Sequence, residues 1–495
     1  VTGTISFYDF LKDENKDKKI YVCNGSACLC AGTQDDLSTQ LEKHFEKDEI
    51  GHMTCLGRCH ENGAFHFSGK NYSALSNDQI IQVINNNDTD AATDSYQCDN
   101  IGEKILTTQP LTSKQALLAL ENILKQGKES TLAAIKQAQL RGRGGAGFPI
   151  GFKLESAMNT ESEQKYIICN ADEGDPGAYS DRYLLEQQPY SVLFGILVSA
   201  YIIGAQYGIL YIRAEYPDAI NIIDDSIKEL TPLIDQIGFD FKFKIISAQG
   251  AYICGEETAL INSIEGQRPE VRTRPPFPTQ QGLFNKPTVV NNVETLASIY
   301  AIVTRGGDFY SSFGTEKSKG TKLVSLDSFF NKPGVYEVDM GTPLTQVFER
   351  LGGGFKQDIK AVHIGGPLGG IVPIEKITDL SIDFESFANN GFLLGHASVV
   401  CIPKEFPMIK YLQHLFEFAA YESCGKCFPC RLGTKRGEEL LTNAIKHGEK
   451  IDRQLFDDLL DTLQQGSLCA HGGGIPLPVK NSLMYFKDEL REYFY

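Results

Sequence analysis

Four cysteines near the carboxyl end of the chain have spacings suited to holding one metal centre. Cys424, Cys427 and Cys430 recur at every third residue in Ser-Cys-Gly-Lys-Cys-Phe-Pro-Cys, and Cys469 follows on a separate segment. Three thiolates on one short segment can converge, and a fourth from elsewhere closes a four-sulfur site. Such a site suits either a 4Fe–4S cluster, which would carry electrons, or a zinc ion, which would stabilise the fold.

A second set of four cysteines lies near the amino end. Cys23 and Cys28 are separated by four residues, and Cys55 and Cys59 are separated by three. Two pairs, each on its own loop, can hold the two irons of a 2Fe–2S cluster, one pair on each iron. Zinc is the alternative, although these gaps fit its usual closely spaced pairs less well. Cys30 is predicted to lie outside the set.

A glycine-rich segment, Arg141–Pro149, has the sequence Arg-Gly-Arg-Gly-Gly-Ala-Gly-Phe-Pro and contains the pattern G-x-G-x-x-G. A Rossmann-type loop with that pattern must follow a strand and open a helix. Here a helical pattern precedes the loop. The segment is therefore predicted to be a phosphate-cradling glycine loop flanked by Arg143 and Lys153, and not a Rossmann loop.

Polar residues directly follow an apolar segment that is predicted to be a strand. Asn170–Gly177, with three carboxylates and an asparagine, comes after the strand Tyr166–Cys169. Open α/β sheets bind ligands at the carboxyl ends of their strands, and carboxylates and amides suit the hydroxyls of ribose or ribityl chains. Gly250–Leu260, Arg272–Pro278 and Val290–Thr295 add further carboxylates, cations and amides. Each segment alone is also compatible with an ordinary turn.

Composition restricts the classes of partner. The 495 residues suffice for several domains at about 100–200 residues each, and the net charge of −16 predicts no nucleic-acid partner and no attraction to anionic lipid. Thirteen cysteines, eight of them in two compact sets, indicate a reducing compartment, the cytoplasm, and not a disulfide scaffold. The first residues lack the pattern of a signal peptide. The uncharged stretch 190–212 is predicted to be a buried helix followed by a strand, because glycines interrupt it.

Patterns of apolar residues predict the elements that position these segments. The strand Lys19–Cys23, the helix Leu37–Phe45 and the strand Gly63–Phe67 indicate a small α/β unit. Alternating helical and strand patterns then predict a layered α/β domain with a largely parallel sheet. Short strands punctuated by glycine follow, and helical periodicity begins after Pro407 and continues to the end.

Five motifs, in order, resemble those of one protein family. These are the glycine loop, Asn-Ala-Asp-Glu-Gly-Asp-Pro-Gly, Gly-Ala-Tyr-Ile-Cys-Gly-Glu-Glu-Thr-Ala-Leu, Asn-Asn-Val-Glu-Thr and Ser-Cys-Gly-Lys-Cys-x-Pro-Cys-Arg. They closely resemble the flavin (NADH-binding, diaphorase) subunits of respiratory complex I, NAD-reducing soluble hydrogenases and NAD-dependent formate dehydrogenases, and the resemblance covers nearly the whole chain. It implies a multidomain α/β fold: a thioredoxin-like ferredoxin domain (1–84), a linker (85–99), a Rossmann-like FMN- and NADH-binding α/β domain (100–315), a small β-grasp-like (SLBB, ubiquitin-like) domain (316–402) and a C-terminal helical bundle (403–495).

The resemblance also implies an activity. NAD(H) and FMN would exchange a hydride by positioning alone, with no acidic or basic catalytic residue, and single electrons would pass through 4Fe–4S and 2Fe–2S clusters. The electrons would go to or come from a separate catalytic or relay subunit of a hydrogenase or formate dehydrogenase, and a small thioredoxin-like 2Fe–2S subunit is a further expected partner. No direct membrane insertion is expected. The NADH-binding subunit of a complex I type enzyme is an alternative, and a zinc-stabilised nucleotide-binding scaffold or a redox sensor represents other classes.

Motif positions imply the site residues. FMN would be contacted by Gly142, Arg143, Gly144, Gly145, Lys153, Asn170, Asp172, Glu173, Gly255, Glu256, Glu257, Asn291, Asn292 and Thr295. NADH would be contacted by Phe148, Asp175, Arg274 and Phe277, with Glu173 and Asp175 near the nicotinamide and the flavin. The 4Fe–4S ligands would be Cys424, Cys427, Cys430 and Cys469, and the 2Fe–2S ligands Cys23, Cys28, Cys55 and Cys59.

The chain differs from the complex I pattern at three positions. Asp175 replaces a glutamate, Arg274 replaces a lysine, and Ser156 replaces a second aromatic that stacks on adenine. These differences favour the hydrogenase or formate dehydrogenase branch and predict weaker adenine stacking. The remaining cysteines are predicted to be buried small apolar residues: Cys98, Cys169, Cys254 and Cys401.

Overall fold

The computed structural model describes residue 4, residues 7–86 and residues 94–495, which form a mixed α/β, multidomain fold. Three β-sheets organise these residues. Residues 87–93, the central part of the predicted linker, lie outside the described residues.

The N-terminal unit contains a four-stranded sheet with the strand order β2-β1-β3-β4. Strand β1 is parallel to β2 and antiparallel to β3. The predicted first strand is therefore central, and its four residues are all buried. The elements are β1 (Ile20–Cys23), α1 (Ser26–Ala31), α2 (Gln34–Leu41), β2 (Ile50–Met53), β3 (Phe65–Phe67), β4 (Lys70–Tyr72) and α3 (Asn77–Asn86).

The second sheet has the order β8-β7-β6-β9, and all its neighbouring strands are parallel, as the alternating patterns predict. Register pairs Asn170 of β6 with Asn292 of β9, so the polar ends of these strands are adjacent. The chain enters through β5 (Gln97–Ile101), which belongs to the third sheet. It then forms α4 (Ser113–Gln126), α5 (Lys128–Ala138), α6 (Ile150–Asn159), β6 (Tyr166–Ala171), α7 (Ser180–Gln187), α8 (Pro189–Ile203), β7 (Tyr207–Arg213), α9 (Pro217–Gln236), β8 (Lys242–Ala248), α10 (Glu257–Ile264), α11 (Pro278–Gln281), β9 (Thr288–Asn292), α12 (Val293–Arg305) and α13 (Gly307–Ser311).

Helix α8 and strand β7 confirm the prediction of a buried helix and strand in the uncharged stretch. Pro189 occupies the first turn of the helix, and Gly204, with φ of 76°, ends it in the left-handed conformation that glycine adopts most easily. The helix is apolar on every side and is accordingly buried on nearly every side. Among the described helices, none combines the length and apolar character needed to cross a membrane.

The third sheet has six strands in the order β13-β12-β14-β10-β11-β5. Strand β5 runs parallel to β11, with Cys98 paired to Val335. Residues 97–99 are thus part of a strand, which corrects the prediction of a linker through residue 99. The other elements are β10 (Thr321–Leu326), β11 (Gly334–Asp339), α14 (Leu344–Gln346), the π-helical turn Val347–Leu351, β12 (Ile359–Ile364), β13 (Gly370–Pro373), α15 (Phe384–Asn389) and β14 (Ser398–Pro403).

Buried Glu337 on β11 fixes the segment that follows β5. Its carboxylate accepts hydrogen bonds from the backbone of residues 105–107 and from the hydroxyls of Thr107 and Thr321. A buried carboxylate is stable when hydrogen bonds of this kind replace its hydration. The start of the second unit is therefore attached to the third sheet by both a strand and a carboxylate.

The C-terminal region is helical, as its periodicity predicts. Its helices are α16 (Met408–Tyr421), α17 (Phe428–His447), α18 (Arg453–Gly466), α19 (Ala470–Gly474), α20 (Pro476–Tyr485) and α21 (Lys487–Leu490). Helices α16 and α17 bury their apolar sides against each other, with Phe416 lying so close to Gly437 that a side chain there would clash. The loop between these two helices carries Cys424 and Cys427, and Cys430 lies in the first turn of α17.

Candidate functional site

The C-terminal cysteines occupy helix ends and the loop before them. Cys424 lies between α16 and α17, Cys427 caps the N-terminus of α17, Cys430 is in its first turn, and Cys469 caps α19. Burial, followed by the charges of Cys427, Cys469 and Cys424, raises the pKa of the Cys430 thiol to about 12. The four thiols, although drawn from two segments, therefore share one neighbourhood.

The N-terminal cysteines also converge. Cys23, Cys28, Cys55 and Cys59 are almost completely buried, and the sulfur atoms of Cys55 and Cys59 lie 3.6 Å apart. The Cys23 thiol forms hydrogen bonds with both Cys28 and Cys55, so the two pairs meet. Cys30 lies in a different apolar cluster from Cys23 and Cys28.

The glycine loop follows a helix, as predicted, and leads into α6. The N–H of Gly142 donates to the Phe148 carbonyl at 2.8 Å, which closes the loop, and the N–H of Arg143 donates to Thr295 Oγ1 at 2.8 Å. A side chain at Gly144 would lie 3.0 Å from Cβ of Asn292, so the loop lies directly on the end of β9. The Arg143 guanidinium points into the interior, where it donates to the hydroxyl of Tyr310 at 3.1 Å.

The carboxyl edge of the parallel sheet gathers the predicted polar residues. Asn170 Nδ2 donates to the Gly255 carbonyl at 2.8 Å, which joins the loop after β6 to the turn before α10. Asn292 caps α12 by accepting from the N–H groups of Glu294 and Thr295. Within the described residues, Asp172 Oδ2 and Asn291 Nδ2 are buried without a hydrogen-bond partner. These two atoms offer an acceptor and a donor to a ligand at this edge.

Charged side chains surround the turn before α10. Lys153 Nζ lies 3.1 Å from Glu257 Oε2 and donates to the Val290 carbonyl at the same distance. Arg274 pairs with Glu256 and lies 3.3 Å from Glu257. Glu256 also caps α10 through the N–H groups of residues 258 and 259. Two cations therefore lie beside two carboxylates at the outer side, or rim, of the carboxyl edge of the parallel sheet.

The residues predicted to contact NADH are of two kinds. The rings of Phe148 and Phe277 are each 52% exposed, which is unusual for phenylalanine and leaves their faces available to another ring. Asp175 forms a hydrogen bond with Tyr252, and Gly366 of the third sheet lies against its carboxylate. Ser156 bonds Thr279 Oγ1 at 3.0 Å, which makes it a polar neighbour of Phe277 at this rim.

Glu173 is buried and is held by several hydrogen bonds. Its carboxylate accepts from the N–H groups of Asp181 at 2.9 Å and Arg182 at 3.0 Å, at the N-terminus of α7. The Tyr216 hydroxyl donates to it at 3.1 Å. His396, on the turn before β14, completes the group with Nε2 3.8 Å from Glu173 Oε1. Sequence patterns did not indicate His396, because it lies on a different sheet.

Three contacts join the N-terminal cysteines to the carboxyl edge of the parallel sheet. The N–H of Gly177 donates to Cys59 Sγ at 3.2 Å. Arg213, at the end of β7, donates to the carbonyls of both Cys55 and Glu173. Sequence reasoning missed Arg213, although a charged residue ending an apolar strand could have indicated it. The loops that carry one thiol set are thus bonded directly to the predicted flavin-binding loop.

Glu422 connects the two cysteine sets. Its carboxylate accepts from the Thr54 hydroxyl at 3.2 Å and from the Tyr252 N–H at 2.9 Å, and it precedes Cys424 by two residues. Thr54 is the neighbour of Cys55. Sequence reasoning missed this residue as well, because its partners are distant in the chain. Both thiol sets therefore border the same edge of the parallel sheet.

Cys98 corrects one prediction about the remaining cysteines. Cys169, Cys254 and Cys401 are buried as expected, whereas Cys98 is exposed. It lies on β5, which is an edge strand. An edge strand has only one neighbour to cover it, so its side chains keep more contact with solvent.

The residues present fit the implied cofactors. Two converging groups of four thiols, neither containing a disulfide, match the ligand number of an iron–sulfur cluster each. The unpaired atoms of Asp172 and Asn291 require polar partners, which a ligand at this edge would supply. Lys153 and Arg274 are cations of the kind that pair with phosphate, and both lie beside carboxylates here.

Two family models match these regions. The Nuo51 FMN-binding domain matches residues 135–301, which contain the glycine loop and the carboxyl edge of the parallel sheet. The NADH-ubiquinone oxidoreductase-F iron-sulfur binding region matches residues 410–493, which contain the C-terminal thiol set. The fold and the two regions define an FMN-dependent iron–sulfur oxidoreductase.

Similarity to known proteins identifies the family of the chain more closely. It is 41% identical to subunit HndC of the NADP-reducing hydrogenase of Solidesulfovibrio fructosivorans, over 75% of this chain and 77% of that subunit. It is 32% identical to subunit alpha of the NAD-reducing hydrogenase HoxS of Cupriavidus necator, over 99% of this chain and 85% of the relative. A crystal structure of an NAD+-reducing NiFe hydrogenase in the H2-reduced state matches with a TM-score of 0.89 and 28% identity, covering 100% of this chain and 87% of that one. The chain belongs to the family of flavin subunits shared by NADH-quinone oxidoreductases and NAD(P)-reducing hydrogenases.

Proposed function

We propose that the chain is the diaphorase subunit of a larger complex and exchanges electrons between NAD(H) and a separate catalytic subunit. The observation that carries this proposal is that two thiol sets border one carboxyl edge of a parallel sheet, joined to it by Gly177, Arg213 and Glu422. FMN, when bound there, accepts a hydride and releases its electrons one at a time, as iron–sulfur clusters require. The protein's task is to hold the reacting groups within roughly 3–3.5 Å of each other and in line.

Several of the predicted FMN residues have surroundings that support a particular task. The glycine loop and Lys153 would receive the phosphate, because backbone N–H groups and an ammonium group favour an anion. The unpaired atoms of Asp172 and Asn291 would meet the ribityl hydroxyls and the ring edge. Glu173 would lie near the reactive part of the flavin, held by α7 and Tyr216.

Substituting Lys153 with methionine is expected to weaken FMN binding by about 10- to 100-fold. A hydrogen bond to a charged group contributes about 1.5–3 kcal/mol, and each 1.4 kcal/mol is about tenfold in affinity. Fluorescence titration of flavin-free protein measures the change. K136M is the matched control, because Lys136 pairs with Glu155 at 2.9 Å on neighbouring helices. Equal affinities of K153M and K136M would contradict the assignment of Lys153 to the phosphate.

The exposed rings of Phe148 and Phe277 would bind the nucleotide, with Arg274 near its phosphates and Asp175 near a ribose. Phe277→Ala is expected to raise KM for NADH about threefold to tenfold, since an aromatic contact contributes about 0.5–1.5 kcal/mol beyond its buried area. Steady-state kinetics with a dye acceptor measures the change. F284A is the control, because Phe284 is 54% exposed and contacts Tyr166 instead. A similar KM for NADH in F277A and F284A would show that Phe277 does not contact the nucleotide.

The N-terminal thiol set would hold a 2Fe–2S cluster in a thioredoxin-like ferredoxin domain of residues 1–84. The remaining parts would be a linker that ends before β5, the Rossmann-like FMN and NADH domain (100–315), the β-grasp-like domain (316–402) and the helical bundle (403–495). The paired loops and the 3.6 Å separation of two sulfur atoms support the cluster assignment. The cluster could exchange electrons with the flavin, because its loop is bonded to the flavin-binding loop.

The physiological partner is proposed to be the catalytic subunit of a hydrogenase, with a formate dehydrogenase as the alternative. Coverage of 99% of the chain by a hydrogenase subunit supports the first. Copurification from the native organism followed by mass spectrometry tests the choice, because a nickel–iron or a molybdenum subunit would be recovered. Colourless anaerobic protein that contains zinc and no iron would instead indicate a zinc-stabilised scaffold. Slow reduction of benzyl viologen by NADH despite bound clusters would favour a redox sensor.

A further inference from the structure

A buried histidine reaches the predicted flavin site from the third sheet. His396 lies on the turn between α15 and β14, and its side chain is only 6% exposed. The neighbouring Gly395 lies against Gly145 of the glycine loop, with φ of 53°, a conformation that favours glycine. The turn therefore brings an imidazole from one domain to a loop of another.

The imidazole faces two carboxylates. Its Nε2 lies 3.3 Å from Asp181 Oδ2 and 3.8 Å from Glu173 Oε1. Asp181 Oδ2 also accepts from Asn292 Nδ2 at 2.5 Å. Both carboxylates are buried, with Glu173 fully covered and Asp181 3% exposed. Two buried carboxylates at this separation repel each other unless a cation lies between them.

The group is better suited to an imidazolium than to a metal ion. Both Glu173 oxygens already accept hydrogen bonds, from two N–H groups of α7 and from Tyr216. The oxygen of Asp181 that faces the ring is shared with Asn292. A divalent cation would compete with these donors, whereas a proton on the ring completes them.

Two further ionisable side chains act on the His396 ring. Asp175, from the loop after β6, is a third acidic group near His396; burial raises the pKa of its carboxyl group, and the charge of His396 opposes that rise. The charge of Lys322 of β10 also acts on His396, but Lys322 forms a fully buried pair with Glu294 of α12. The positive charge of Lys322 is therefore already neutralised, and His396 is left to compensate the carboxylates at the flavin-binding loop.

We propose that His396 is a positioning residue of the flavin site: as an imidazolium bonded to Asp181, it holds Glu173 and Asn292 in place and supplies the positive charge beside the flavin. The inference rests on the proposed function, because it assumes that FMN lies against Glu173 and Asn292. A residue next to the third sheet would thus help to set the balance between reduced and oxidised flavin. Loss of the charge would disfavour the reduced, anionic flavin relative to the oxidised one.

The pKa direction agrees with this geometry. Burial alone lowers the pKa of His396, but the charge and hydrogen bond of Asp181 overcome burial and raise it to about 9. A raised folded-state pKa means that the pair stabilises the fold fully below the unfolded pKa of about 6.5. That stabilisation is lost as the pH rises through about 9.

The test compares His396→Gln with His363→Gln. His363 is a second buried histidine in the same sheet, bonded to the Tyr411 hydroxyl at 2.9 Å, and burial lowers its pKa to about 4. H396Q is expected to shift the equilibrium of bound FMN toward the oxidised form at least tenfold, about 30 mV for a two-electron couple. H363Q leaves the potential unchanged. The double variant H396Q/D181N removes one charge of each sign and is expected to recover most of the shift.

A second measurement does not need the flavin. The difference in melting temperature between flavin-free wild type and H396Q should narrow as the pH rises through about 9, and H363Q should show no such change. The inference is overturned if H396Q and H363Q have the same flavin potential and the same pH dependence of melting. A wild type that binds no FMN would overturn the proposed function instead, and the melting comparison would still decide whether the pair is charged.

Discussion

Cys430→Ser is expected to remove about four iron atoms from each chain and to abolish NADH-dependent reduction of one-electron acceptors, with FMN still bound. The thiolate is the ligand of an iron–sulfur cluster, and a serine hydroxyl does not replace it at neutral pH. Cys430 is buried in the first turn of α17, close to the other three cysteines. Iron analysis, the visible spectrum and dye-reduction kinetics of anaerobically purified protein measure the three effects.

The matched control is Cys401→Ser. Cys401 is equally buried, but it lies on β14 beside Asp327, whose carboxylate accepts a hydrogen bond from its N–H at 2.6 Å. C401S is expected to keep full iron content and activity. Full iron content in C430S would mean that the C-terminal set does not hold a cluster, and loss of FMN together with iron would mean that the two sites do not fold independently.

Arg213→Met is expected to destabilise the protein by about 3–5 kcal/mol, because it breaks a buried ion pair by removing one partner. Arg213 is 3% exposed and lies 2.8 Å from Glu215, which is also 3% exposed. The methionine would leave the Glu215 charge without its partner and remove the donors to the carbonyls of Cys55 and Glu173. Urea denaturation of wild type and variant, followed by circular dichroism, measures the difference in the free energy of unfolding.

An exposed arginine provides the comparison for this second experiment. Arg305 pairs with Glu103 at 2.8 Å, but the two side chains are 45% and 31% exposed. R305M is expected to change the free energy of unfolding by no more than about 1 kcal/mol, since solvent screens such pairs. If R213M were as stable as R305M, the joint between the N-terminal loops and the parallel sheet would not depend on Arg213.

Much of the fold could be predicted from local patterns. Strand β1, helix α8 with strand β7, the parallel sheet and the C-terminal helices all follow from runs or periodicities of apolar residues within one element. The two thiol sets could be predicted because their ligands are close in sequence. Contacts within one segment depend on how far apart its residues are in the chain, and that separation can be read directly from the sequence.

The residues that join the segments could not be predicted in this way. Arg213 bonds the carbonyl of Cys55 across 158 residues, Glu422 bonds Thr54 across 368, and His396 faces Asp181 across 215. A local pattern can mark a charged residue such as Arg213 at the end of an apolar strand, but it does not identify a partner so distant in the chain. Strand β5 was missed for another reason: its sequence, Gln-Cys-Asp-Asn-Ile, is polar and has no apolar run, because an edge strand is covered on one side only.

Strand β5 also determines when the third sheet can be completed during synthesis. Its neighbour in the described sheet, β11, begins at Gly334, more than two hundred residues after β5 ends. At about 5–20 residues per second, β5 emerges from the ribosome on the order of ten seconds or more before its partner exists. During that interval an apolar strand would invite aggregation, whereas three polar side chains among its five residues keep it hydrated. The polar composition of β5 explains why sequence patterns do not predict the strand. The same composition keeps the nascent chain from aggregating while the flavin-binding domain is being synthesised.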